Sequence, residues 1–341
     1  MEIGIIGLQQ SGKSTLFQIM TGVKSRENFT DPYVRGIAKV PDPRFNKLVE
    51  IFKPAKVTPA SVPFIDVNAS GENAWDQIRK TLGGIDGILH VVDAFTANGI
   101  DEVVKHYNTL KDELIISDLI VVENRLERLQ KLPAKSLKPD EASQLKILTQ
   151  AKELLEKGEP LKNLSLNAEQ KNSLRGFGFW SLRPELVVVN TAEGNASLGS
   201  ELAKTIKVPA VSICCKIEAE IAELEPHEQK EFLASMGIDS PAFERIIQES
   251  FRLLGQMCYF TVGEDEVRAW VIPAGSTAPR ASSAIHKDFE RGFIKAEVVA
   301  YDDFISCGGT VSGAKSAGKF RLEGKEYIVQ DGDIISFRFN V

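Results

Sequence analysis

A glycine-rich segment close to the N-terminus constrains the fold of this chain more than any other feature. Residues Gly7–Ser14 match the pattern G-x-x-x-x-G-K-[ST] at every fixed position. The apolar run Glu2–Ile6 before them predicts a strand, and a helix is predicted to begin near Lys13, which is the context that a phosphate-binding loop requires. An ordinary glycine-rich turn is the alternative, but a chance match occurs in only about one or two of a hundred chains this long.

The residue types in this segment are those that bind a polyphosphate. Backbone N–H groups of such a loop and the positive end of the following helix face the phosphates. We expect Lys13 to bridge the β- and γ-phosphates and to be the catalytic cation, and Ser14 to bind Mg²⁺. The nucleotide-binding residues predicted in the loop are Gln10, Ser11, Gly12, Lys13, Ser14 and Thr15.

Asp66 is predicted to complete the magnesium site. It lies at the end of the apolar run Ser61–Val67, where the Walker B carboxylate of a P-loop protein binds Mg²⁺ directly or through water. Asp93 ends a later run and is the rival acid, but we interpret it as structural.

Short runs rich in β-branched residues indicate strands that are buried on both faces of a parallel sheet. Helix-length segments separate most of them, which predicts a doubly wound α/β fold of the P-loop NTPase type. The predicted strands are Glu2–Ile6, Ser61–Val67, Gly87–Asp93, Glu185–Asn190 and Ala210–Cys214.

Two apolar stripes with helical spacing interrupt this plan and predict an inserted antiparallel helical hairpin; two ordinary packing helices are the alternative. The stripes are Ile115, Leu119, Val122, Leu126 and Leu129, then Leu145, Leu148, Ala151 and Leu155. Beyond residue 257, strands around a short helix predict a small β-grasp domain. The predicted regions are a nucleotide-binding domain (1–105 and 181–257), the hairpin (106–180) and the β-grasp domain (258–341).

Composition excludes several classes of protein. Apolar residues make up 43% and charged residues 26% of the 341 residues, as in globular proteins. The net charge of −6 argues against wholesale binding to DNA or other nucleic acid. Since no apolar run approaches the length of a membrane span and the N-terminus does not resemble a signal peptide, we expect no membrane contact and a cytoplasmic location.

Seven segments together resemble the YchF-type ATPases, a branch of the Obg-related P-loop GTPases, over nearly the whole chain. The resemblance implies a G domain with a helical insertion, a C-terminal TGS domain of β-grasp type, and contact with the ribosome or ribosomal RNA in the regulation of translation or stress responses. The segments are Gly7–Thr15, Gly36–Arg44, Asn190–Glu193, Cys214–Glu220, Glu266–Trp270, Ile285–Ile294 and Gln330–Asp333.

The resemblance also places the site for the nucleotide base. GTPases use N-K-x-D, whose aspartate accepts two hydrogen bonds from guanine, whereas residues 190–193 read Asn-Thr-Ala-Glu. The extra methylene of Glu193 displaces the carboxylate by about an ångström and spoils that paired contact. The resemblance therefore implies ATP, with Mg²⁺, in preference to GTP. It assigns base binding to Asn190 and Glu193, supported by the loop of Cys214, Cys215 and Lys216.

Other positions bear on hydrolysis. Thr30 matches the switch I threonine that binds Mg²⁺ in the triphosphate state of the family. Gln10 replaces an asparagine linked to monovalent cations, Ala69 replaces the glycine of the switch II motif D-x-x-G, and Ser70 stands where GTPases have a water-orienting glutamine. We therefore expect slow ATP hydrolysis. The alternatives are a nucleotide-responsive binding module with negligible turnover and a GTPase.

Overall fold

The computed structural model describes residues 1–24, 33–69, 74–82, 84–133, 136–235 and 240–340. The chain forms two compact units. The first comprises residues 1–36 and 63–246, and the second comprises residues 37–62 and 247–341. No helix within the described ranges is both long enough and apolar enough to span a membrane.

The strands are short and fall into two sheets. In chain order they are β1 (Ile3–Gly7), β2 (Tyr33–Lys39), β3 (Lys56–Thr58), β4 (Ser61–Val67), β5 (Gly87–Ala94), β6 (Glu185–Thr191), β7 (Ala210–Ile213), β8 (Gln256–Thr261), β9 (Glu266–Pro273), β10 (Phe293–Val299), β11 (Arg321–Glu323) and β12 (Ile334–Phe339).

The helices range from five residues to the 31 residues of α4. In chain order they are α1 (Lys13–Thr21), α2 (Pro43–Phe52), α3 (Ala74–Leu82), α4 (Ile100–Gln130), α5 (Pro139–Glu156), α6 (Ala168–Leu174), α7 (Ser197–Ile206), α8 (Cys215–Glu223), α9 (Pro226–Ser235), α10 (Ala242–Leu253), α11 (Ala278–Ser282), α12 (Lys287–Arg291), α13 (Tyr301–Ser306) and α14 (Val311–Ser316).

The first unit is built on a six-stranded sheet with the order β2-β4-β1-β5-β6-β7. Strands β4, β1, β5, β6 and β7 run parallel. They are the five strands predicted from the sequence, within one or two residues at each end. The predicted α/β fold is thereby confirmed. Because parallel strands all end at the same edge of the sheet, residues that follow β1, β4, β6 and β7 are brought together there.

Helices α4 and α5 form the predicted antiparallel hairpin. Lys152 on α5 pairs with Glu123 on α4, and Arg125 on α4 donates to Gln144 on α5, so sequence position rises on one helix as it falls on the other. The two predicted stripes form the shared core of the hairpin. Helix α4 starts six residues before the predicted boundary at 106, and its first turns, with Val103 among them, pack on the parallel sheet.

The second unit contains a mixed sheet with the order β11-β10-β12-β8-β9-β3. Tyr259 and Val298 belong to the core on one of its faces. On the other face, Phe45 of α2 contacts Phe260, with ring centroids 6.1 Å apart. Strand β3 adds an edge by pairing with β9, Lys56 opposite Glu266. The segment 37–62, which the sequence analysis placed in the nucleotide-binding domain, thus belongs to the same compact unit as the C-terminal strands.

Candidate functional site

The glycine-rich pattern forms the turn between β1 and α1. Gln10 and Gly12 have φ angles of 63° and 93°, and left-handed residues in such a loop turn N–H groups toward one side, as in anion-binding nests. A Cβ at Gly7 would lie 2.7 Å from the carbonyl oxygen of Val91, so only glycine fits there. The hydroxyl of Ser11 is buried, and among the described residues it has no hydrogen-bond partner.

Lys13 and Asp66 lie on neighbouring elements beside this loop. Lys13 begins α1, and Asp66 is fully buried on β4, where it stands opposite Ile5 of β1. Burial lowers the pKa of the Lys13 ammonium, while the negative charge of Asp66 acts in the opposite direction. The sheet therefore brings the predicted phosphate-binding cation close to the predicted metal-binding carboxylate.

Asn190, at the end of β6, connects the phosphate loop to the predicted base loop. Its Nδ2 donates to the carbonyl oxygen of Ser11 at 3.1 Å, and its Oδ1 accepts from the N–H of Cys215 at 3.1 Å. A Cβ at Gly12 would come within 2.5 Å of Nδ2. The side chain predicted to bind the base thus holds the two loops together, a role that the sequence analysis missed. The left-handed Gly12 supplies the room for it.

The other residues predicted to bind the base differ in their exposure to solvent. Glu193 and Lys216 are exposed, Cys214 is half-buried, and Cys215 is buried. Burial is the main cause that raises the pKa of the Cys215 thiol to about 12, and the nearby Glu218 carboxylate acts in the same direction. Cys215 is therefore a neutral thiol near pH 7, and only its backbone N–H is used in the link.

The residues present fit a magnesium ion. Ser14 is half-buried in the first turn of α1, and Asp66 is on the adjacent strand. Hydroxyl and carboxylate oxygens are the ligands that Mg²⁺ prefers, and it usually binds one or two protein groups with phosphates and waters. Within the described ranges, no three His, Cys, Asp or Glu side chains are grouped so that they could hold a metal ion by themselves.

The remaining residues considered in the sequence analysis are Thr15, Thr30, Ala69, Ser70 and Asp93. Thr30 and Ser70 lie outside the described residues. Thr15 is exposed. Ala69 packs against an apolar cluster that includes Val67. Asp93 accepts hydrogen bonds from the N–H of residue 95 at 2.9 Å and the hydroxyl of residue 96 at 2.7 Å, so its carboxylate shapes the loop after β5.

Comparisons with known proteins identify relatives of this chain. The family model YchF-GTPase_C, described as a protein of unknown function (DUF933), matches residues 256–340. The chain is 40% identical over 365 residues to the ribosome-binding ATPase YchF of Bacillus subtilis (strain 168), covering 99% of both chains. It is 39% identical over 361 residues to the protein of that name from Pasteurella multocida (strain Pm70), again covering 99% of both.

A solved structure shows the same architecture. The Schizosaccharomyces pombe YchF GTPase matches with a TM-score of 0.81 and 25% identity, covering 99% of this chain and 97% of that one. The fold therefore agrees along the entire chain and is not confined to the C-terminal match. With sequence identity near 40% over the full length of its bacterial relatives, this chain belongs to the YchF family.

Proposed function

We propose that this chain binds ATP together with Mg²⁺ at the carboxyl edge of its parallel sheet and hydrolyses it slowly. The observation that carries the proposal is the Asn190 link, which holds the phosphate loop and the base loop in one arrangement. The bacterial relatives are named ribosome-binding ATPases, which supports the same activity.

The residues have separate tasks in this proposal. The N–H groups of the loop bind the phosphates, and Lys13 stabilises charge that develops on the β- and γ-phosphate oxygens. Ser14 and Asp66 hold Mg²⁺, with Thr30 as the third proposed ligand. The ion, when bound, neutralises phosphate charge. Lys13 is partly buried, which lowers its pKa, and burial also strengthens these contacts because the local dielectric constant is lower than in water.

Selectivity for adenine rests on Glu193. Its exposed side chain lies two residues beyond the end of β6 and three residues after Asn190 in the sequence. Because a glutamate carboxylate extends one methylene too far for the paired guanine contact, we propose that the site takes ATP in preference to GTP.

Slow turnover follows from switch II. Ala69 packs into an apolar cluster and offers no side chain to orient water. We propose rates near those of an unassisted GTPase, about 10⁻⁴ to 10⁻² per second. The packing of Ala69 equally favours a second candidate, a nucleotide-responsive binding module without turnover.

We further propose a cytoplasmic protein that contacts the ribosome, since its bacterial relatives are named for that contact. Co-sedimentation with purified ribosomes tests this proposal. More protein should pellet with a non-hydrolysable ATP analogue than with ADP. Equal and negligible pelleting in both cases would contradict the ribosome proposal and leave the ATP site unaffected.

The ATP site is tested by calorimetric titration of Lys13→Ala. Affinity for Mg·ATP should fall at least about thirtyfold, because a charged partner of the phosphates is lost. Lys24→Ala is the matched control, since Lys24 is an exposed lysine shortly after α1. An unchanged affinity in Lys13→Ala would overturn the assignment. Single-turnover hydrolysis by the unmodified protein then separates a slow ATPase from a binding module.

A further inference from the structure

Arg79, on α3 of the first unit, is almost fully buried and donates hydrogen bonds to several elements. Its Nη2 donates to Asp118 Oδ1 at 2.7 Å and to Ser117 Oγ at 2.9 Å, both on α4. Its Nε donates to the carbonyl oxygen of Gly178 at 3.3 Å, in the segment that returns from the hairpin to the sheet. One guanidinium thus joins α3 to the middle of α4 and to the segment that follows the hairpin.

Asp118 completes this junction. It is fully buried and accepts from the N–H of Trp180 at 3.0 Å and from the N–H and hydroxyl of Ser181 at 2.7 Å each. Both carboxylate oxygens are therefore hydrogen-bonded as well as ion-paired. A buried pair satisfied in this way is costly to break, because either charge alone would be left buried and uncompensated. The three elements are held in one relative position.

Helix α3 also packs against residues next to the candidate nucleotide site. Ile78 and Leu82 of α3 belong to one buried cluster with Ile65 and Val67, the residues on either side of Asp66. Leu8 of the phosphate loop and Ala69 pack against the same cluster, which continues into α4. Helix α3 therefore touches the strand that carries Asp66 through apolar packing and touches the hairpin through Arg79.

Two tryptophans make further contacts between α3 and the hairpin region. Trp75 on α3 meets Trp180 edge to face, with ring centroids 5.4 Å apart. Trp180 Nε1 donates to the carbonyl oxygen of Trp75 at 3.3 Å, and Trp75 Nε1 donates to Glu113 of α4 at 3.1 Å. A displacement of α3 would therefore have to carry α4 with it or break several hydrogen bonds together.

From this arrangement we infer that Arg79 is a positioning residue that couples the nucleotide at Asp66 to the helical hairpin. Packed elements shift between discrete arrangements instead of deforming continuously. When the γ-phosphate changes the contacts at Asp66 and Ala69, α3 moves and Arg79 transfers that movement to α4 and α5. The inference rests on the proposed nucleotide binding. Coupling is reciprocal, so the bound nucleotide changes the conformation of the hairpin and a change in the hairpin changes the affinity for the nucleotide.

Hydrogen exchange of the full-length protein tests the coupling. Backbone exchange in residues 139–156 of α5 should differ between saturating Mg·AMP-PNP and saturating Mg·ADP. In Arg79→Met this difference should disappear, and the ratio of the two affinities should change by about fivefold or more. A merely structural residue would lower stability without changing that ratio.

Matched variants keep the result interpretable. Arg125→Met removes an arginine whose hydrogen-bond and ion-pair partners, Gln144 and Glu141, are both on α5, so it should retain the nucleotide-dependent difference. If Arg79→Met does not fold, Arg79→Lys decides, because one ammonium cannot reproduce the contacts of the planar guanidinium to α4 and residue 178.

Two results would overturn the inference. One is a wild-type protein that binds both nucleotides yet shows the same α5 exchange with each, which leaves the proposed function intact. The other is an Arg79 variant that keeps both the exchange difference and the affinity ratio. A wild-type protein that binds neither nucleotide would overturn the proposed function, and this inference with it.

Discussion

The two six-stranded sheets of this molecule differ in the direction of their strands and in the parts of the chain that supply them. The first contains five adjacent parallel strands that are mostly buried, and two of them carry Asp66 and Asn190 near their carboxyl ends. The second is mixed, and its strands come from segments far apart in the chain, with residues 56–58 paired to residues 266–268. The first sheet therefore brings the residues of the candidate site together at its strand ends, whereas the second depends on a distant segment to complete its core.

Each unit also contains an arginine that joins residues distant in sequence. In the first unit, Arg79 binds Asp118 in a buried site. In the second, Arg44 pairs with Asp42 and with Asp331, which is half-exposed. We therefore expect the arginine–aspartate pair to contribute more to stability in the first unit than in the second. Burial determines the free-energy cost of losing one partner of such a pair.

The largest expected effect is on a fragment comprising residues 258–341. It should fail to fold, because it lacks Phe45 and Phe52, which cover Phe260 and Phe304, and lacks the edge strand β3. Circular dichroism during heating should show no cooperative transition. Residues 37–62 joined by a flexible linker to residues 247–341 are the control and should fold. A cooperative transition in the short fragment would show that the distant segment is dispensable.

Breaking the buried arginine link should cost more than breaking the exposed one. Asp118→Ala should lower the free energy of unfolding of the first unit by about 3–5 kcal/mol, since Arg79 is left buried without its partner. Asp331→Ala should cost about 1 kcal/mol in the second unit. Urea titration followed by tryptophan fluorescence measures both, because Trp75 and Trp180 report the first unit and Trp270 the second. Equal losses would contradict the role assigned to burial.

Acid should destabilise the first unit through Glu185. Burial raises the pKa of this carboxyl, but the hydrogen bond from His90 and the charge of Lys162 outweigh burial and lower the pKa to about 2. A depressed pKa stabilises the fold above the unfolded value, near 4.5, and this contribution disappears as the pH falls toward 2. The loss should be about 3 kcal/mol.

Urea unfolding at pH 5 and at pH 2.5 measures this loss. Glu185→Gln should show a correspondingly smaller dependence on pH, because it has no carboxyl to titrate at that position. A variant with the pH dependence of the wild type would mean that other carboxyl groups account for the acid sensitivity.

The smallest expected effect concerns the choice of base. Glu193→Asp should shift the ATP-to-GTP affinity ratio toward GTP by about three- to tenfold, because the shorter acid restores the reach that guanine requires. The shift is partial, since residue 191 is threonine and the lysine of N-K-x-D is missing. Competition titrations with both nucleotides measure it. An unchanged ratio would show that Glu193 does not face the base.

The sequence predicted the five parallel strands of the first sheet because they are continuous apolar runs with local signals. The sixth strand, β2, was not predicted, and only two of its seven residues are buried. The link made by Asn190 was not predictable, since it depends on how two strand ends meet in space. Helix α2 had signals that were overlooked: Asp42 accepts from the N–H of Arg44 as an N-cap, and Pro43 begins the helix. Nothing local indicates that this helix belongs with the C-terminal sheet.

Two smaller errors have similar causes. Strand β3 has only three residues, two of them exposed, so its sequence carries no buried periodicity. The one short helix predicted in the C-terminal domain is two short helices, α11 and α12, because His286 adopts an extended conformation between them and caps the second. Pairing and capping partners, rather than the apolar pattern, determine these elements.

Photolabelling with 8-azido-ATP tests the central claim most directly, because the azide reacts with residues beside the base. Peptides from the irradiated wild-type protein should carry the label at residues 190–193 or 214–216. Excess ATP should remove it more effectively than GTP. Label located in residues 37–62 or 247–340, or label that ATP does not remove, would contradict an ATP site at the edge of the parallel sheet.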